Sequence, residues 1–294
     1  MTAEPNFCDK FVAFVDILGF ASKVAAAEGS SGAQLSDLLE ICGELESKSH
    51  VQSIAAYGPI ICPESRYASR NLDYRVTQIS DCAIISTEVS PAGIINLVEH
   101  ISQSIIGLLQ HGVLVRGYVT RGSIFHDDRQ FLGVGYQNAL SGEKTVRAFR
   151  MSESDGATPF VEVDPNVVRY IREETDACVV EMFGRMAKVD STQDVTVLFP
   201  FQQLTNVVGG NISEPEKCQR SLDIVRTWID SYKEKLASQA PASDSMANQK
   251  SKYYMKILDN FLAECDQIEN FLKIGTQPAV RLRYDQNLDA VPIK

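Results

Sequence analysis

An aspartate interrupts one of the most hydrophobic segments of the chain, residues 11–20, which read FVAFVDILGF. The apolar, β-branched run that ends in glycine predicts a buried strand. Burying an unpaired carboxylate costs several kcal/mol, which is of the order of the whole stability of a domain. The Asp16 carboxylate must therefore be satisfied by a metal ion, a cationic group or backbone N–H groups, unless it simply caps the following turn.

A second aspartate, Asp81, lies between two strand-like runs at residues 74–79 and 82–86. The turn pair Ser80-Asp81 predicts a β-hairpin, and alone Asp81 is equally well explained as a turn residue. As a pair, Asp16 and Asp81 suit a hard divalent cation, because Mg²⁺ is usually held by one or two carboxylates together with substrate phosphates. Without a metal, two adjacent carboxylates repel, and one tends to hold a proton.

The residues after Asp16 are Ile17, Leu18, Gly19 and Phe20. They offer consecutive backbone N–H groups, and Gly19 permits close approach of a ligand. We therefore predict a turn that cradles a triphosphate. A lone glycine after a strand is common, so this prediction depends on the neighbouring aspartate.

The order of the predicted elements is typical of an α+β fold with a mostly antiparallel sheet. The elements predicted after the hairpin are a helix from Ser90-Pro91 to His111-Gly112, a strand at 113–124, a return strand at 131–135, a helix at 145–151 and an extended segment at 160–163. Residues 51–71 show little periodicity and predict a loop with a short strand.

The character of the chain changes after residue 200. A capping box at 213–216 precedes an amphipathic helix that reaches Leu236, and a second amphipathic helix is predicted at about 253–272. The segment between them, 238–251, is rich in Ala, Ser, Pro and Asn and predicts a mobile loop. We expect a domain at residues 1–200, with an antiparallel helix pair at 201–294 that packs on it or on a partner.

Composition excludes several classes of function. The 294 residues carry a formal net charge of −10, which repels the phosphate backbone of nucleic acids. No stretch approaches the roughly 20 apolar residues of a membrane helix, and the N-terminus lacks a secretory layout. The seven cysteines include no C-x-x-C pair and the four histidines are scattered, which argues for reduced thiols and against a zinc site. We expect a cytoplasmic protein without a nucleic-acid or membrane partner.

Three segments together resemble one enzyme family. FVDILGF is similar to the metal-binding strand of class III nucleotide cyclases, RVTQISDCAIIS to their second metal hairpin and VLVRGYVTRGSIF to the next core strand. The resemblance covers roughly residues 11–164 and implies a ferredoxin-like core with flanking helices. It also implies that Asp16 and Asp81 bind two Mg²⁺ or Mn²⁺ ions, with the carbonyl of Ile17 completing one coordination shell.

The same resemblance suggests residues that bind the nucleotide. The N–H groups around Leu18 to Phe20 would hold the β- and γ-phosphates, and Thr77 stands where the family reads a purine with lysine or glutamate. Threonine carries no charge, so Thr77 departs from the purine cyclases. The family's N-x-x-x-R helix is not cleanly present in GEKTVRAFRMSES. Arg147 and Arg150 are candidates to stabilise the transition state, or else they are solvated helix arginines.

FVDILGF combined with TRGSIFH resembles the pyrimidine cyclases of bacterial Pycsar anti-phage systems. This resemblance implies conversion of UTP (slightly favoured) or CTP into a 3′,5′-cyclic monophosphate, which a separate effector protein reads. Tyr57, Arg66 and Arg75 are candidate contacts to the base, or else exposed loop and strand side chains. Related cyclases build the site between two subunits, which implies a head-to-tail homodimer.

Other functions remain open from the sequence. An adenylyl or guanylyl cyclase would use the same fold on a purine substrate. A two-metal phosphodiesterase or nuclease would use the same two carboxylates, although such enzymes usually bring more acidic or histidine ligands. A nucleotide sensor or interaction module without activity would keep the fold, with the C-terminal helices binding a partner.

Overall fold

A computed structural model describes residues 4–29, 34–61, 71–153, 155–202, 204, 214–239 and 245–274. The strands are β1 (Cys8–Ile17), β2 (Arg75–Ile79), β3 (Cys82–Glu88), β4 (Val115–His126), β5 (Phe131–Leu132), β6 (Val161–Val163), β7 (Ala187–Asp190) and β8 (Val195–Leu198). They form one eight-stranded sheet in the order β2-β3-β1-β4-β6-β8-β7, with β5 paired to β4. The pair of β4 with β6 is parallel and the others are antiparallel.

The helices are α1 (Phe20–Glu28), α2 (Leu35–Glu46), α3 (Lys48–Tyr57), α4 (Pro91–Gln110), α5 (Val134–Glu143), α6 (Pro165–Glu174), α7 (Ala177–Gly184), α8 (Pro215–Gln239) and α9 (Ser245–Ile274). The chain order β1, helices, β2, β3, α4, β4 and the sheet order β2-β3-β1-β4 make a ferredoxin-like βαββαβ unit. The α+β class, the mostly antiparallel sheet and the ferredoxin-like core are thus confirmed.

Strand β1 lies at the centre of this unit and is buried on both faces. Its alternate residues Phe11, Ala13 and Val15 belong to the main hydrophobic core, whereas Val12 and Phe14 belong to a smaller cluster that includes residues of α5. Successive side chains of a strand point to opposite faces. The next residue in the second series is aspartate 16, which therefore faces the α5 side of the sheet.

Helix α4 fills the core on the other face. It begins as predicted, with Pro91 in the first turn and the Ser90 hydroxyl accepting a hydrogen bond from the N–H of Gly93 at 2.9 Å, and it ends before His111. Among the described residues, α4 is the helix that is long and apolar enough to cross a membrane, contrary to the sequence-based expectation that no such stretch exists. However, 83% of its apolar window is buried inside the protein, as in a core helix.

Helices α8 and α9 lie antiparallel, joined by ion pairs from Arg226 to Asp266 at 2.8 Å and from Lys233 to Asp259 at 2.5 Å. Their apolar faces belong to the same core as the sheet. The predicted helix pair is therefore confirmed, but its bounds differ. Helix α8 reaches Gln239 and α9 begins at Ser245, so most of the described part of the predicted 238–251 loop is helical. Ser213 of the predicted capping box lies outside the described residues.

Three local predictions are wrong. The predicted loop after residue 51 begins with the last part of α3. The return strand at 131–135 ends after two residues, because Gly133 adopts a φ of 145° and the chain turns into α5. The predicted helix at 145–151 is a series of turns, since Phe149 has a left-handed φ of 55° and the N–H groups of Arg147 and Ala148 donate to the Glu162 carboxylate.

The thiols only partly match the expectation of reduced cysteines. Free thiols are present at Cys8, Cys42, Cys82, Cys218 and Cys265. Cys178 is disulfide-bonded instead, so the expectation fails at this position.

Candidate functional site

The two predicted metal-binding aspartates meet at one end of the sheet. Asp16 is the penultimate residue of β1 and lies opposite Cys82 of β3 and Arg116 of β4. Asp81 lies in the β2–β3 turn, and its backbone carbonyl accepts a hydrogen bond from the Ile17 N–H at 2.9 Å. The hairpin turn is therefore fastened to the end of β1. Ser80 in this turn has a φ of 55°, the left-handed conformation that turns tolerate.

The environment of Asp16 is strongly negative. Burial, together with the charges of Asp81 and Glu143, raises its carboxyl pKa to about 6, against the opposing charges of Arg116 and Lys250. Asp16 does not cap the following helix, because the N-cap of α1 is Gly19. The negative charge of Asp16 is therefore only partly neutralised by its neighbours, and a bound cation would neutralise it further.

The sequence did not predict an ion pair that lies beside Asp16. The Arg116 guanidinium pairs with the carboxylate of Glu143, the last residue of α5, whose side chain is 4% exposed. Because Glu143 engages Arg116, the arginine neutralises only part of the negative charge around Asp16. One signal was available: Arg116 interrupts the apolar run VLVRGYV as Asp16 interrupts its own strand.

The donor set at this site consists of hard oxygen ligands. The neighbouring Cys82 thiol has its pKa raised to about 11 by burial and by Asp16, Asp81 and Glu143, so it is protonated near pH 7 in the metal-free protein. Within the described residues no group of three or more His, Cys, Asp or Glu side chains could hold a metal on its own. Two carboxylates nevertheless fit Mg²⁺ or Mn²⁺, because substrate phosphates and water would complete the coordination shell of the ion.

In the turn that we predicted to bind phosphate, residues 17–18 differ from residues 19–20 in the direction of their N–H groups. The N–H groups of Ile17 and Leu18 donate to the carbonyls of Asp81 and Leu114, both at 2.9 Å, and so point into the protein. Gly19, with a φ of 76°, then turns the chain into α1, which starts at Phe20 and has no side-chain cap. The first N–H groups of a helix have no partner within it and attract anions. The N–H groups that could meet an anion therefore start at Gly19 rather than at Ile17, because those of Ile17 and Leu18 are bonded within the protein.

Thr77 lies on β2, on the α5 face of the sheet, and shares a hydrogen-bond network. Its hydroxyl is 2.9 Å from Nε2 of His126, whose Nδ1 is 2.8 Å from the Ser86 hydroxyl. Burial, with Lys10 and Arg75 nearby, lowers the pKa of His126 to about 4, so the ring is neutral near pH 7. The hydroxyl of Thr77 is thus part of an uncharged network.

The other predicted base contacts are spread out. Arg75 is bound by surface carboxylates, Asp128 at 2.7 Å and Asp73 at 3.5 Å. Tyr57 ends α3, and its side chain is 89% exposed. Arg66 lies outside the described residues.

The two predicted transition-state arginines follow α5. Arg147 lines a cavity of about 560 Å³, together with Tyr118, Arg169 and Arg172. Nε of Arg150 is buried and has no hydrogen-bond partner in the described part of the chain. Neither arginine is among the charges that act on Asp16, whereas Glu143 and Lys250 are. Within one chain, therefore, the described contacts of Arg147 and Arg150 do not include the aspartate pair.

No protein-family model matches this chain, and no curated protein is significantly similar to it in sequence. Among solved structures, it is similar to the catalytic core of a rhodopsin-guanylyl cyclase with converted specificity, in complex with ATPαS, with a TM-score of 0.34 and 12% identity. The match covers 59% of this chain and 85% of the cyclase core. Because a TM-score at this level does not define a shared fold, the interpretation of the site depends on the strands and side chains of the chain itself.

Proposed function

We propose that the protein is a metal-dependent nucleotide cyclase of the class III type, which converts a nucleoside triphosphate into a 3′,5′-cyclic monophosphate and pyrophosphate. One observation carries the proposal: Asp16 and Asp81 meet beside the uncapped start of α1 on a ferredoxin-like βαββαβ unit. A pair of carboxylates for cations next to a helix N-terminus for phosphates is the combination that such a substrate requires.

In this proposal each part of the site has a separate task. Asp16 and Asp81 would hold two divalent ions, with the carbonyl of Ile17 as a further ligand, and Gly19 and Phe20 would present N–H groups to the phosphates. Bound Mg²⁺ or Mn²⁺ would activate the ribose 3′-hydroxyl and stabilise the leaving group. The 3′-oxygen forms its bond to the α-phosphorus as the bond to pyrophosphate breaks, and the hydroxyl proton leaves to solvent.

The base is proposed to be a pyrimidine, uracil rather than cytosine. Thr77 and His126 offer neutral hydrogen-bonding groups, which suit the uncharged edge of a pyrimidine. They do not supply the charge that lysine or glutamate provides in purine cyclases. The resemblance to Pycsar enzymes motivates the further proposal that the cyclic product acts in the cytoplasm on a separate anti-phage effector. Arg75 and Tyr57 remain proposed contacts from the rim of the site.

Product analysis tests the chemistry. Purified protein is incubated with each of the four NTPs and Mn²⁺, and the products are identified by mass spectrometry. Cyclic UMP or CMP supports the proposal, cyclic AMP or GMP would support a purine cyclase, a linear monophosphate a hydrolase, and unchanged NTP a sensor. Asp16→Ala and Asp81→Ala should each abolish pyrophosphate release, and near-normal turnover by either variant would refute the assignment.

The proposed homodimer explains the separate position of Arg147. In a head-to-tail dimer, the Arg147 cavity of one subunit would face the aspartate pair of its partner and neutralise charge in the transition state. A heterodimer with Asp16→Ala in one subunit and Arg147→Ala in the other would keep one intact site. It should recover about half of the wild-type activity, whereas each homodimeric variant is expected to be inactive. A fully active monomer would contradict this arrangement.

A further inference from the structure

Helix α9 lies outside the segment that resembles the cyclases, yet its first half packs on Phe160, which is hydrogen-bonded to the strand beside Asp16. The Tyr254 ring stacks on Phe160 with ring centres 5.3 Å apart and an interplanar angle of 17°. The carbonyl of Phe160 accepts the N–H of Gly117 at 3.1 Å, and Gly117 directly follows Arg116, the cross-strand neighbour of Asp16. Tyr254 therefore anchors α9 close to the end of β1 that carries the site.

A second contact fixes the rotation of the helix. The Gln249 amide donates to Asp155 at 2.9 Å and to the Tyr253 hydroxyl at 2.8 Å. Lys250 stands one helical turn before Tyr254, and residues four apart lie on the same face of a helix. Its side chain is half-buried, and its charge acts on the Asp16 carboxylate. The C-terminal helix thus brings a lysine ammonium group towards the site.

The preceding helix, α8, contacts α1, the helix that follows β1. Nζ of Lys23, in the first turns of α1, donates to the side chain of Gln239 at the end of α8 at 2.8 Å. The end of α8 therefore lies against the helix whose N-terminus is proposed to bind phosphate. Both described ends of the helix pair lie beside the site.

We propose that Lys250, carried by α9 to the aspartate pair of its own chain, binds the phosphate chain of the substrate. The proposal deepens and rests on the proposed cyclase function. In the free protein the ammonium group offsets the charge of Asp16. With substrate bound, the Lys250 ammonium group would donate to the phosphate oxygens, whose charge two divalent ions would only partly neutralise. A lysine is a compact point charge, which is a common way to bind phosphate.

Binding of Mg²⁺-pyrophosphate tests this role without requiring turnover. Calorimetry is performed on the full-length wild type, Lys250→Ala, Lys250→Arg and the control Lys252→Ala, which changes an exposed lysine on the same helix. We expect Lys250→Ala to weaken the affinity about tenfold or more, as for loss of a charge-assisted hydrogen bond. Lys250→Arg should lose less, and Lys252→Ala should match the wild type. Thermal melting of the free proteins checks that all four are folded.

The outcomes separate this proposal from the cyclase assignment. If the wild type cyclises an NTP but Lys250→Ala binds pyrophosphate as tightly as Lys252→Ala, the role of Lys250 is refuted and the function stands. If the wild type cyclises no NTP but its pyrophosphate affinity depends on Lys250, the phosphate site stands without the cyclase. If the wild type does not bind Mg²⁺-pyrophosphate, the proposal is overturned.

Discussion

The environment of the Asp16 carboxyl group disfavours its ionised form. Burial and the carboxylates of Asp81 and Glu143 raise its pKa to about 6, so the folded protein holds a proton there more tightly than the unfolded chain does. The contribution of Asp16 to the free energy of unfolding therefore falls as the pH rises from about 4 towards 6. At pH 7.5 the carboxyl group is ionised, and the full cost of its charge is present. This cost is consistent with the proposed role of Asp16 in binding a cation.

Asp16→Asn should therefore stabilise the metal-free protein while it abolishes activity. The change removes the repulsion with Asp81 and Glu143, and after allowance for partial exposure we expect a gain of about 1–2 kcal/mol at pH 7.5. Urea unfolding with EDTA measures the gain. Asp9→Asn is the matched control, since it removes an exposed aspartate of the same strand, paired with Arg121. A loss of stability in Asp16→Asn would show that a structural contact had been broken.

Two buried histidines predict how stability depends on pH. Burial lowers the pKa values of His100 and His126 to about 4. On acidification the unfolded chain therefore binds protons near pH 6.5 that the folded protein does not bind. The free energy of unfolding should fall by up to about 1.4 kcal/mol per pH unit for each histidine between pH 6.5 and 4. The opposite titration of Asp16 offsets part of this loss.

The variant His100→Gln tests the histidine contribution. Glutamine can still donate to the Leu45 carbonyl, which Nε2 of His100 contacts at 2.9 Å, but it does not titrate. Urea unfolding at several pH values from 7.5 to 5 should give a shallower pH dependence than in the wild type, by up to the contribution of one histidine. An unchanged slope would mean that His100 does not supply the acid sensitivity.

Single residues also show the limits of prediction from sequence. Asp16 could be found because a charge within an apolar run must be compensated. Glu143 could not, because it lies in the polar stretch GEK, and its burial depends on how α5 packs on the sheet. Lys250 likewise lies in a segment of low complexity, and the tertiary position of α9 alone brings it near the site.

At the level of elements, α5 decides the geometry of the site. The sequence suggested a strand and then a later helix, but Gly133 turns the chain early and α5 ends at Glu143. The close approach depends on Gly142, where an added Cβ would overlap the ring of Tyr118 on β4. This glycine lets the end of α5 lie flat on the strand, so that Glu143 reaches Arg116.

Gly142→Ala is expected to destabilise the protein by about 1–3 kcal/mol, because the added Cβ would lie 2.4 Å from atoms of the Tyr118 ring, which would have to shift. It should also lower activity, since Glu143 is displaced from Arg116. Gly107→Ala is the comparison: it lies in α4 and would meet only the flexible carboxyl end of Glu44. Alanine favours helix by about 0.5–1 kcal/mol, so this variant should be neutral or stabilised in thermal melts. Equal behaviour of the two variants would refute the packing argument.

At the level of the whole molecule, the sequence predicts the ferredoxin-like half far better than the rest. Long periodic segments such as β1, the β2–β3 hairpin and α4 carry strong local patterns, and their order sets the topology. Between residues 164 and 200 the elements α6, α7, β7 and β8 are only four to ten residues long. Short elements carry little periodicity of their own, and their positions are set by packing against the existing sheet.

The C-terminal helices raise the question of whether residues 201–294 unfold independently of residues 1–200. Phe261 of α9 is fully buried, with ring centres 5.8 Å from Phe199 and 6.3 Å from Phe201, which directly follow β8. Helix pair and sheet thus share one core, and elements that share a core unfold together. Phe261→Ala should therefore destabilise the entire protein by about 3–5 kcal/mol in one transition. Tyrosine fluorescence and far-UV circular dichroism should give coincident urea curves, whereas a separate early transition would identify the helix pair as an independent unit.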